Sequence, residues 1–221
     1  MIDKKHITKR KNGLQTKDNI LKESALLFSK FGYNSVTVRK IAYACRIKES
    51  SIYNHFKSKE DILSELFMIF EKTFSSTRLS SSELEEVIIE NSLEHALRVV
   101  VARNDQDNSM IDNIATIIFI ERFNHEKAAE LYTRVLINQQ ITYFEDVFLL
   151  INNKYGLKHE TTYLHHLAIN FSYAFMALSH EYAMAKNNMI NKEHVIRKMM
   201  NALQFYVTLL QPKGDLNDAT K

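Results

Sequence analysis

The sequence predicts an all-α protein, with a small N-terminal three-helix domain followed by a larger helical domain. Only four glycines and one proline occur in 221 residues, and these are the residues that break helices and form β-turns. Apolar residues recur at helical spacing from Ile20 onward, and no β-type alternation persists. Hydrophobic residues make up 45% of the chain, which is enough to form a core.

The first helix is predicted over 17–31. Residues 1–15 are polar and basic with no apolar period, so we expect a flexible basic arm there. Thr16 is the expected N-cap, and Gly32 stands where a helix ends in a left-handed residue. A packed C-cap is therefore the favoured interpretation of Gly32 and its neighbour Tyr33.

Two short helices separated by a tight break follow. Thr37 is the expected N-cap of "TVRKIAYAC", and the break at Arg46 leads to "KESSIYNHF" over 48–56. This spacing predicts a helix-turn-helix, in which the second helix enters the DNA major groove. Ile52 and Phe56 lie four residues apart, so both can face the core of the domain.

The other face of this second helix carries groups that reach base edges and phosphates. Ser58 and Asp61 resemble a capping box at the start of the next helix, whose N-terminus would favour phosphate. The residues predicted to bind DNA are Thr37, Arg39, Lys48, Ser50, Ser51, Tyr53, Asn54, His55 and Lys59.

Basic charge is concentrated in the first third of the chain. Residues 1–75 contain 15 Lys and Arg against 8 acids, a net +7, whereas 76–221 contain 14 against 18, a net −4. This asymmetry indicates a polyanion-binding N-terminal end, although ordinary surface variation is the alternative. The arm "KKHITKRK" could enter a minor groove or act as a non-specific tail.

The rest of the chain is predicted to be helical. The serine-rich stretch 75–83 is a connector, with Ser82 and Glu85 as a capping box. Helical periods then recur over the following ranges: 83–103, 108–122, 126–153, 160–186 and 192–210. We expect the DNA-binding domain over 16–62, a ligand-binding and dimerisation domain over 63–212, and a tail over 213–221.

The run from Thr16 to Leu63 resembles the DNA-binding domain of the TetR family of bacterial transcriptional regulators. The matching stretches are "ILKESALLFSKFGYNSVTVRKIA" and "SSIYNHFKSKEDIL". The resemblance implies that Thr37 caps its helix near a phosphate. It also implies phosphate contacts for Tyr53 and Lys59, base or phosphate contacts for Asn54 and His55, and base reading by Lys48, Ser50 and Ser51.

Three residues depart from the family pattern. Arg46 occupies a turn position where the family commonly has Gly, Glu49 replaces a frequent Lys, and Ser50 replaces a Gly. If Arg46 is left-handed, a side chain there costs roughly 1 kcal/mol. These departures concern which operator is read rather than whether DNA is bound.

The last two helices are apolar on more than one side, so they need several packing partners. The family resemblance implies that they form a four-helix bundle with a second copy in a homodimer. The predicted interface residues are Leu164, Leu167, Phe171, Phe175, Leu178, Ile196, Met199, Leu203, Tyr206 and Leu210.

Aromatic and Met side chains are frequent in the helices between the N-terminal domain and this pair, as suits an apolar ligand cavity or a plain core. The predicted ligand-binding residues are Phe119, Glu121, Phe123, Tyr143, Tyr173 and Met176. Glu121 is open to two interpretations: it binds a cationic group in a cavity, or it pairs with Arg122 or Lys127 at the surface.

No P-loop, nucleophile elbow or dinucleotide motif occurs, so we expect neither an enzyme nor a cofactor. His159, His165 and His166 lack zinc-type spacing, and surface histidines are favoured over a metal site. The single cysteine, Cys45, fits a buried inert thiol and a reducing cytoplasm. No stretch suits a signal peptide or a membrane span.

We therefore expect a cytoplasmic homodimeric repressor that binds a palindromic operator in double-stranded DNA and is released by a small apolar or amphipathic ligand. The alternative is a DNA-binding protein of the same plan without such an inducer, controlled by a protein partner or organising the chromosome.

Overall fold

A computed structural model of the chain describes residues 4–76, 78–102, 109–186 and 188–211, and regular structure within these ranges is entirely helical. The predicted all-α class is confirmed. The helices are α1 (Lys4–Phe31), α2 (Val38–Ala44), α3 (Glu49–Tyr53), α4 (Lys59–Ser76), α5 (Ser81–Glu90), α6 (Leu93–Ala102), α7 (Ser109–Glu121), α8 (Glu126–Leu131), α9 (Gln139–Tyr155), α10 (Thr161–Lys186) and α11 (Lys192–Leu210). The predicted tail 213–221 lies outside the described residues.

The chain forms two compact units. Unit 1 comprises Met1–Ser75 and Asp107–Tyr132, and unit 2 comprises Ser76–Gln106 and Thr133–Lys221. Unit 1 therefore combines the N-terminal helices with α7 and α8, which come later in the sequence. Among the described residues, no helix is both long enough and apolar enough to cross a membrane.

Helix α1 is longer than the sequence suggested. It begins at Lys4, so residues 4–15 are helical where a flexible arm was expected, and Thr16 lies inside the helix rather than capping it. The physical reason is composition, because Lys, Arg, Gln and Leu are good helix formers. The interior Gly13 costs only about 1 kcal/mol. The helix ends as predicted: Gly32 is left-handed at φ 78°, and its N–H donates to Phe28 O at 2.9 Å.

The core of unit 1 forms where α1, α2, α3 and α4 bury their apolar faces. Its largest fully buried side chains are Ile20, Phe28, Ile41, Ile52, Ile62, Leu63, Leu66, Phe67 and Phe70. Helix α1 also packs on α7, where Ser29 Oγ donates to Asn113 Oδ1 at 2.9 Å. The short helices α2 and α3 therefore rest on longer helices that fix their position.

Two helix caps differ from their predicted form. Ser58 Oγ accepts from Asp61 N–H at 3.0 Å as expected, but the Asp61 carboxylate accepts from Lys57 N–H at 2.9 Å rather than from Ser58. The capping box of α5 consists of Ser80 and Glu83, not Ser82 and Glu85. Ser80 is the residue with the extended backbone that an N-cap requires, and a run of serines conceals this register in the sequence.

Two predicted helices are interrupted. The helix expected over 83–103 breaks at Asn91, which is extended at φ −121° and ψ 163°, and Ser92 Oγ then accepts from His95 N–H at the start of α6. The helix expected over 126–153 contains a π-helical segment, Tyr132–Asn138, between α8 and α9. A Ser, Thr or Asn side chain that bonds nearby backbone can end a helix without Gly or Pro.

Unit 2 has an aromatic core. Phe144 on α9 is fully buried, with its ring centroid 4.5 Å from that of Phe171 on α10. Phe171 in turn contacts Tyr206 of α11 edge-on at 4.7 Å. Leu97 and Val100 of α6 belong to the same buried cluster, so unit 2 holds α6, α9, α10 and α11 around one apolar centre.

Candidate nucleic-acid interface

Helix α2 begins at the predicted cap. Thr37 is extended at φ −101° and ψ 157°, and its side chain accepts from Lys40 N–H at 3.2 Å. Ile41 and Ala42 point into the core, while Arg39, Lys40 and Tyr43 are exposed. The N-cap is therefore confirmed, and one side of α2 is left open to solvent.

The turn after α2 is held by two backbone hydrogen bonds. Arg46 N–H donates to Tyr43 O at 3.1 Å, and Ile47 N–H donates to Ala42 O at 3.0 Å. This pairing requires a left-handed residue at Arg46, which has φ 56°. A side chain in this conformation costs roughly 1 kcal/mol relative to Gly.

Helix α3 is shorter than expected, covering Glu49–Tyr53 rather than 48–56. Ile52 and Phe56 are buried, and Ile52 O accepts from the N–H groups of both His55 and Phe56. These bonds close a turn instead of continuing the helix, because Ser58 must be free to cap α4. Both anchors face inward as predicted.

The predicted DNA-binding residues lie mostly on the opposite, solvent-facing side. Ser51, His55 and Lys59 are half-buried, and the rest are exposed: Thr37, Arg39, Lys48, Ser50, Tyr53 and Asn54. Tyr53 is 52% exposed although it is a large aromatic residue one position from buried Ile52. An exposed tyrosine beside polar groups matches the chemistry of a phosphate contact.

The predicted phosphate ligand Lys59 is held inside unit 1. Its ammonium donates to Tyr33 O at 2.8 Å and to Val36 O at 2.9 Å, and it lies 4.0 Å from the Tyr33 ring centroid. Burial lowers the pKa of Lys59, while Glu121 and Glu60 oppose that shift. Two of its three N–H donors are thus engaged within the domain, and a phosphate contact by Lys59 stays a prediction.

Lys59 belongs to a polar network that we call the Tyr33 junction: Tyr33, Lys59, Glu60, Glu121 and His125. Tyr33 N–H donates to Glu121 Oε1 at 2.9 Å, and Tyr33 O–H donates to Glu60 Oε2 at 2.7 Å. His125 Nε2 lies 3.0 Å from Glu60 Oε1, and its Nδ1 accepts from Ala128 N–H as the N-cap of α8. The junction joins the ends of α1 and α7 to the beginnings of α4 and α8.

Neither sequence interpretation of Glu121 matches its position. The side chain is 6% exposed and accepts from backbone N–H at the end of α1, so it lies in unit 1 as a buried structural acceptor. Lys127 pairs instead with Glu130, and the Arg122 guanidinium lies 3.8 Å from the Phe119 ring centroid and 4.2 Å from that of Phe123. The reason is that α1 packs on α7, so the N–H of Tyr33, just beyond the end of α1, has the Glu121 carboxylate as its acceptor.

Cys45, at the end of α2, is buried as expected. Burial, with a smaller effect from Glu23, raises the pKa of its thiol to about 11. In the described ranges, no group of three or more His, Cys, Asp or Glu side chains is placed to hold a metal ion.

The six predicted ligand-binding residues are divided between the two units. Phe119, Glu121 and Phe123 belong to unit 1, and the other three belong to unit 2. Tyr143 is buried below the Arg78 guanidinium, Tyr173 is 49% exposed, and Met176 is half-buried. A small, partly open apolar cavity in unit 2 is lined instead by Val101, Phe171, Ala174, Phe175, Leu178, Met199, Ala202, Leu203 and Tyr206.

The stripe predicted for the dimer interface mostly faces inward in unit 2. Phe175, Leu178 and Met199 are half-buried around the cavity, Ile196 is exposed, and the remaining six are buried in the core: Leu164, Leu167, Phe171, Leu203, Tyr206 and Leu210. When a helix is apolar on two sides, the more apolar side packs in the core of its own unit, and the less apolar side faces solvent. Here that outer side carries Tyr173 and Met184 on α10 and Phe205 on α11.

Comparison with known proteins bears directly on this geometry. Residues 20–66 match the family described as "Bacterial regulatory proteins, tetR family". The match contains α2, the left-handed turn and α3 complete. Residues 20–66 therefore carry a DNA-binding segment of the TetR family type.

Sequence relatives match only part of the chain. The uncharacterized HTH-type transcriptional regulator YuxN of Bacillus subtilis (strain 168) is 36% identical over 94 residues, covering 37% of this chain and 32% of YuxN. The HTH-type transcriptional repressor KstR2 of Mycolicibacterium smegmatis is 27% identical over 121 residues, covering 50% of this chain and 58% of KstR2. The chain thus spans less than two thirds of the length of the curated relatives it matches, and their names describe regulators rather than enzymes.

Solved structures share the fold over most of the chain. A SmeT–triclosan complex has a TM-score of 0.60 at 17% identity, covering 88% of this chain and 91% of SmeT. AibR in complex with isovaleryl coenzyme A and operator DNA has a TM-score of 0.57 at 18% identity, covering 84% and 96%. At these identities the likeness concerns the fold alone.

Three features of the site were missed in the sequence. Tyr43 is 88% exposed on α2, Glu121 accepts from the end of α1, and His125 caps α8. Tyr43 could have been found, because it lies four residues from Arg39 and away from the buried positions Ile41 and Ala42. The role of Glu121 depends on a contact between helices far apart in sequence, which no local pattern reports, whereas His125 caps a helix that begins at the next residue.

The Tyr33 junction generates a pH prediction. Burial raises the pKa of Glu60, but the hydrogen bonds from His125 and Tyr33 and the nearby positive charges outweigh burial, so the pKa of Glu60 is lowered from its ordinary value. A carboxyl with a depressed pKa stabilises the fold above its unfolded pKa, and this contribution is lost as pH falls through the folded value. Glu60→Gln should therefore be less stable than wild type at pH 7, with the difference shrinking below about pH 4.5.

Urea unfolding of both proteins across pH 3 to 8 would measure this difference. Glu86→Gln, which removes an exposed carboxyl of α5, is the matched control. A Glu60→Gln deficit that stays constant with pH would contradict the assigned role.

Proposed function

We propose that the chain is a homodimeric transcriptional repressor that binds a palindromic operator through α2 and α3. The observation that carries the proposal is the two-sided segment formed by α3 and the turn after it, with Ile52 and Phe56 buried while Ser50, Tyr53 and Asn54 are exposed. A helix anchored on one side and polar on the other is what major-groove reading requires. The net +7 of residues 1–75 supports a polyanion partner.

The DNA contacts divide into two classes in this proposal. Tyr53 binds a phosphate and contributes to affinity for any duplex, whereas Lys48, Ser51 and Asn54 contact base edges and select the sequence. The short α3 directs its first turn at the groove, because its N-cap Lys48 makes no side-chain cap bond and its outer residues are exposed.

The DNA contacts are tested by comparing substitutions of the two classes. Tyr53→Phe, which removes only the hydroxyl, should weaken binding to an operator and to random duplex by similar factors. Asn54→Ala should lower affinity for the operator by about 1–3 kcal/mol and alter sequence preference. Fluorescence anisotropy at fixed salt with both duplexes measures each effect, after the operator is selected from a random library.

Tyr163→Phe is the matched control for Tyr53→Phe, since it removes a tyrosine hydroxyl in unit 2. If Tyr53→Phe and Asn54→Ala both leave operator binding at the wild-type level, the proposed orientation of α3 is wrong.

The homodimer is proposed to form through the outer sides of α10 and α11. Tyr173, Ala177 and Met184 lie on one side of α10, and Phe205 is 59% exposed on the outer side of α11. Exposed large apolar side chains grouped on two neighbouring helices mark an interaction surface. A two-fold dimer would place the two recognition helices on half-sites about one DNA turn apart, roughly 34–36 Å.

Substitution of Phe205 tests the dimer. Phe205→Asp should convert the protein to a monomer, because burying a carboxylate at an apolar interface is unfavourable, and should weaken binding to the full palindrome more than to one half-site. Sedimentation equilibrium measures the association state. Ile89→Asp, which alters an exposed apolar residue of α5, should remain a dimer, and a wild-type mass for Phe205→Asp would refute this interface.

The effector site is proposed to be the unit 2 cavity between α6, α10 and α11. Its lining is almost entirely aliphatic and aromatic, with the Tyr206 side chain as its one hydroxyl-bearing member, so it suits a small apolar or amphipathic ligand. A ligand that binds better to the DNA-free conformation would shift the population away from DNA. SmeT and AibR, which share the fold, have been solved with small molecules, and this supports the class of effector.

The alternative is a DNA-binding protein of this plan that has no small-molecule inducer. Thermal-shift screening against apolar metabolites, followed by anisotropy with operator DNA, separates the two. A ligand that raises the melting midpoint of wild type but not of Ala202→Phe, which fills the cavity, and that releases DNA over the same concentration range supports induction. No such ligand in a broad library favours the alternative. In either case we propose that the protein works in the cytoplasm.

A further inference from the structure

Arg46, in the turn between α2 and α3, has a backbone conformation that is unfavourable for an arginine. Arg46 is left-handed at φ 56°, where an L side chain is strained. We propose that Arg46 is retained there as a phosphate-binding residue, forming with Arg39 and Tyr43 a second DNA-backbone contact beside the recognition helix. The inference deepens the proposed function, on which it rests.

Three other helix ends of the described chain have a left-handed residue that is better suited to the conformation. The left-handed residue is Gly32 after α1, Gly156 after α9 and Asn188 after α10, and these are residue types that tolerate the conformation. Gly156 and Asn188 have the same pair of backbone hydrogen bonds as Arg46. Lys158 is also left-handed, but it lies in a connection rather than at a helix end. Arg46 is therefore a costly choice at a position where glycine would satisfy the backbone.

The fold makes no visible use of the Arg46 guanidinium. The residue is exposed, and among the described residues no hydrogen bond or ion pair involves its side chain or those of Arg39 and Tyr43. A strained residue whose side chain contributes nothing to its own fold is a candidate for function, since strain persists where it serves a site.

The surroundings of Arg46 identify the partner. Arg39 and Tyr43 lie one helical turn apart on the exposed side of α2, and Tyr43 is 88% exposed. Arg46 then follows α2 directly, with exposed Lys48 two residues further on. In a helix-turn-helix the first helix crosses the DNA backbone while the second enters the groove, so this cationic side meets phosphates rather than bases. Guanidinium and phenol groups are suited to phosphate oxygens.

A purely structural role for Arg46 is the competing explanation, because a cation near the C-terminus of α2 interacts favourably with the helix dipole. The two explanations predict opposite changes in the melting temperature of Arg46→Gly. If the residue is held for DNA, Arg46→Gly relieves backbone strain and melts a few degrees higher than wild type, while DNA binding weakens. If the residue is held for the fold, Arg46→Gly melts lower.

Salt dependence of binding provides the decisive measurement. Anisotropy titrations use a random-sequence 30-bp duplex and the selected operator between 50 and 300 mM NaCl. Each phosphate contact contributes about 0.9 to the slope of log K against log salt, so Arg46→Gly and Arg46→Asn should each lower the slope by about 0.9 on both duplexes. Arg46→Lys should keep the wild-type slope, and Tyr43→Phe should weaken both complexes by roughly 5- to 10-fold.

Lys72→Asn is the matched control, because it removes one exposed positive charge far from the proposed contact. Lys72 lies thirteen residues after Lys59 on α4, a distance of about 20 Å along the helix axis. It should leave the slope unchanged. A wild-type slope for Arg46→Gly, or a lower melting temperature in that variant, overturns the inference. If the wild-type protein binds neither duplex, the proposed function itself fails. If the wild-type protein binds the operator and the Arg46 variants bind it equally well, only the proposed Arg46 contact is refuted.

Discussion

The hydrogen bond from Tyr33 N–H to the buried Glu121 carboxylate is the interaction on which the arrangement of unit 1 depends. The segment between α1 and α2 has backbone N–H and C=O groups that need partners. Glu121 accepts from one side, and the Lys59 ammonium donates to Tyr33 O and Val36 O from the other. A carboxylate and an ammonium thus meet around one peptide segment, which makes burial of each charge tolerable. Glu121 is the more deeply buried of the two, and Lys59 is only half-buried.

The same constraint positions α2 and, through it, the proposed recognition helix α3. Val36 O is held by Lys59, and Thr37 begins α2 at the next residue, so the start of α2 is fixed to the start of α4. Helix α3 is only five residues long and could not persist alone. Its position comes from Ile52 and Phe56, which are inserted between longer helices. The exposed side of α2 and α3, which we propose faces DNA, is therefore positioned by its supports.

Local signals in the sequence were enough to predict most of unit 1. The Thr37 cap, the left-handed Gly32 and the inward pair Ile52 and Phe56 each depend on residues a few positions apart. The prediction failed where one local sequence pattern is compatible with several local structures. Consecutive serines hid the true cap of α5, and basic residues 4–15 are compatible with either a helix or a flexible arm. The role of Glu121 depends on an α1–α7 contact 88 residues apart, which periodicity does not encode.

In unit 2 the sequence predicted which helices are apolar but not which side of each faces the core. Helices α10 and α11 carry apolar residues on two sides, and the sides differ only in degree. The stronger stripe packs around Phe144 and Phe171, and Phe205 is left outside. Which side faces the core depends on how α6 and α9 pack against these helices. The sequence pattern of a single helix does not contain that information.

The placement of α7 and α8 in unit 1 has a consequence for building hybrid regulators. Exchanging DNA-binding segments between relatives usually assumes that an N-terminal piece can be transplanted by itself. Here residues 1–75 do not include Glu121 or His125, so such a graft would separate Tyr33 and Glu60 from the groups that satisfy them. The transferable module of this chain is discontinuous, and a hybrid that changes the operator must carry the facing residues of α7 and α8 with it.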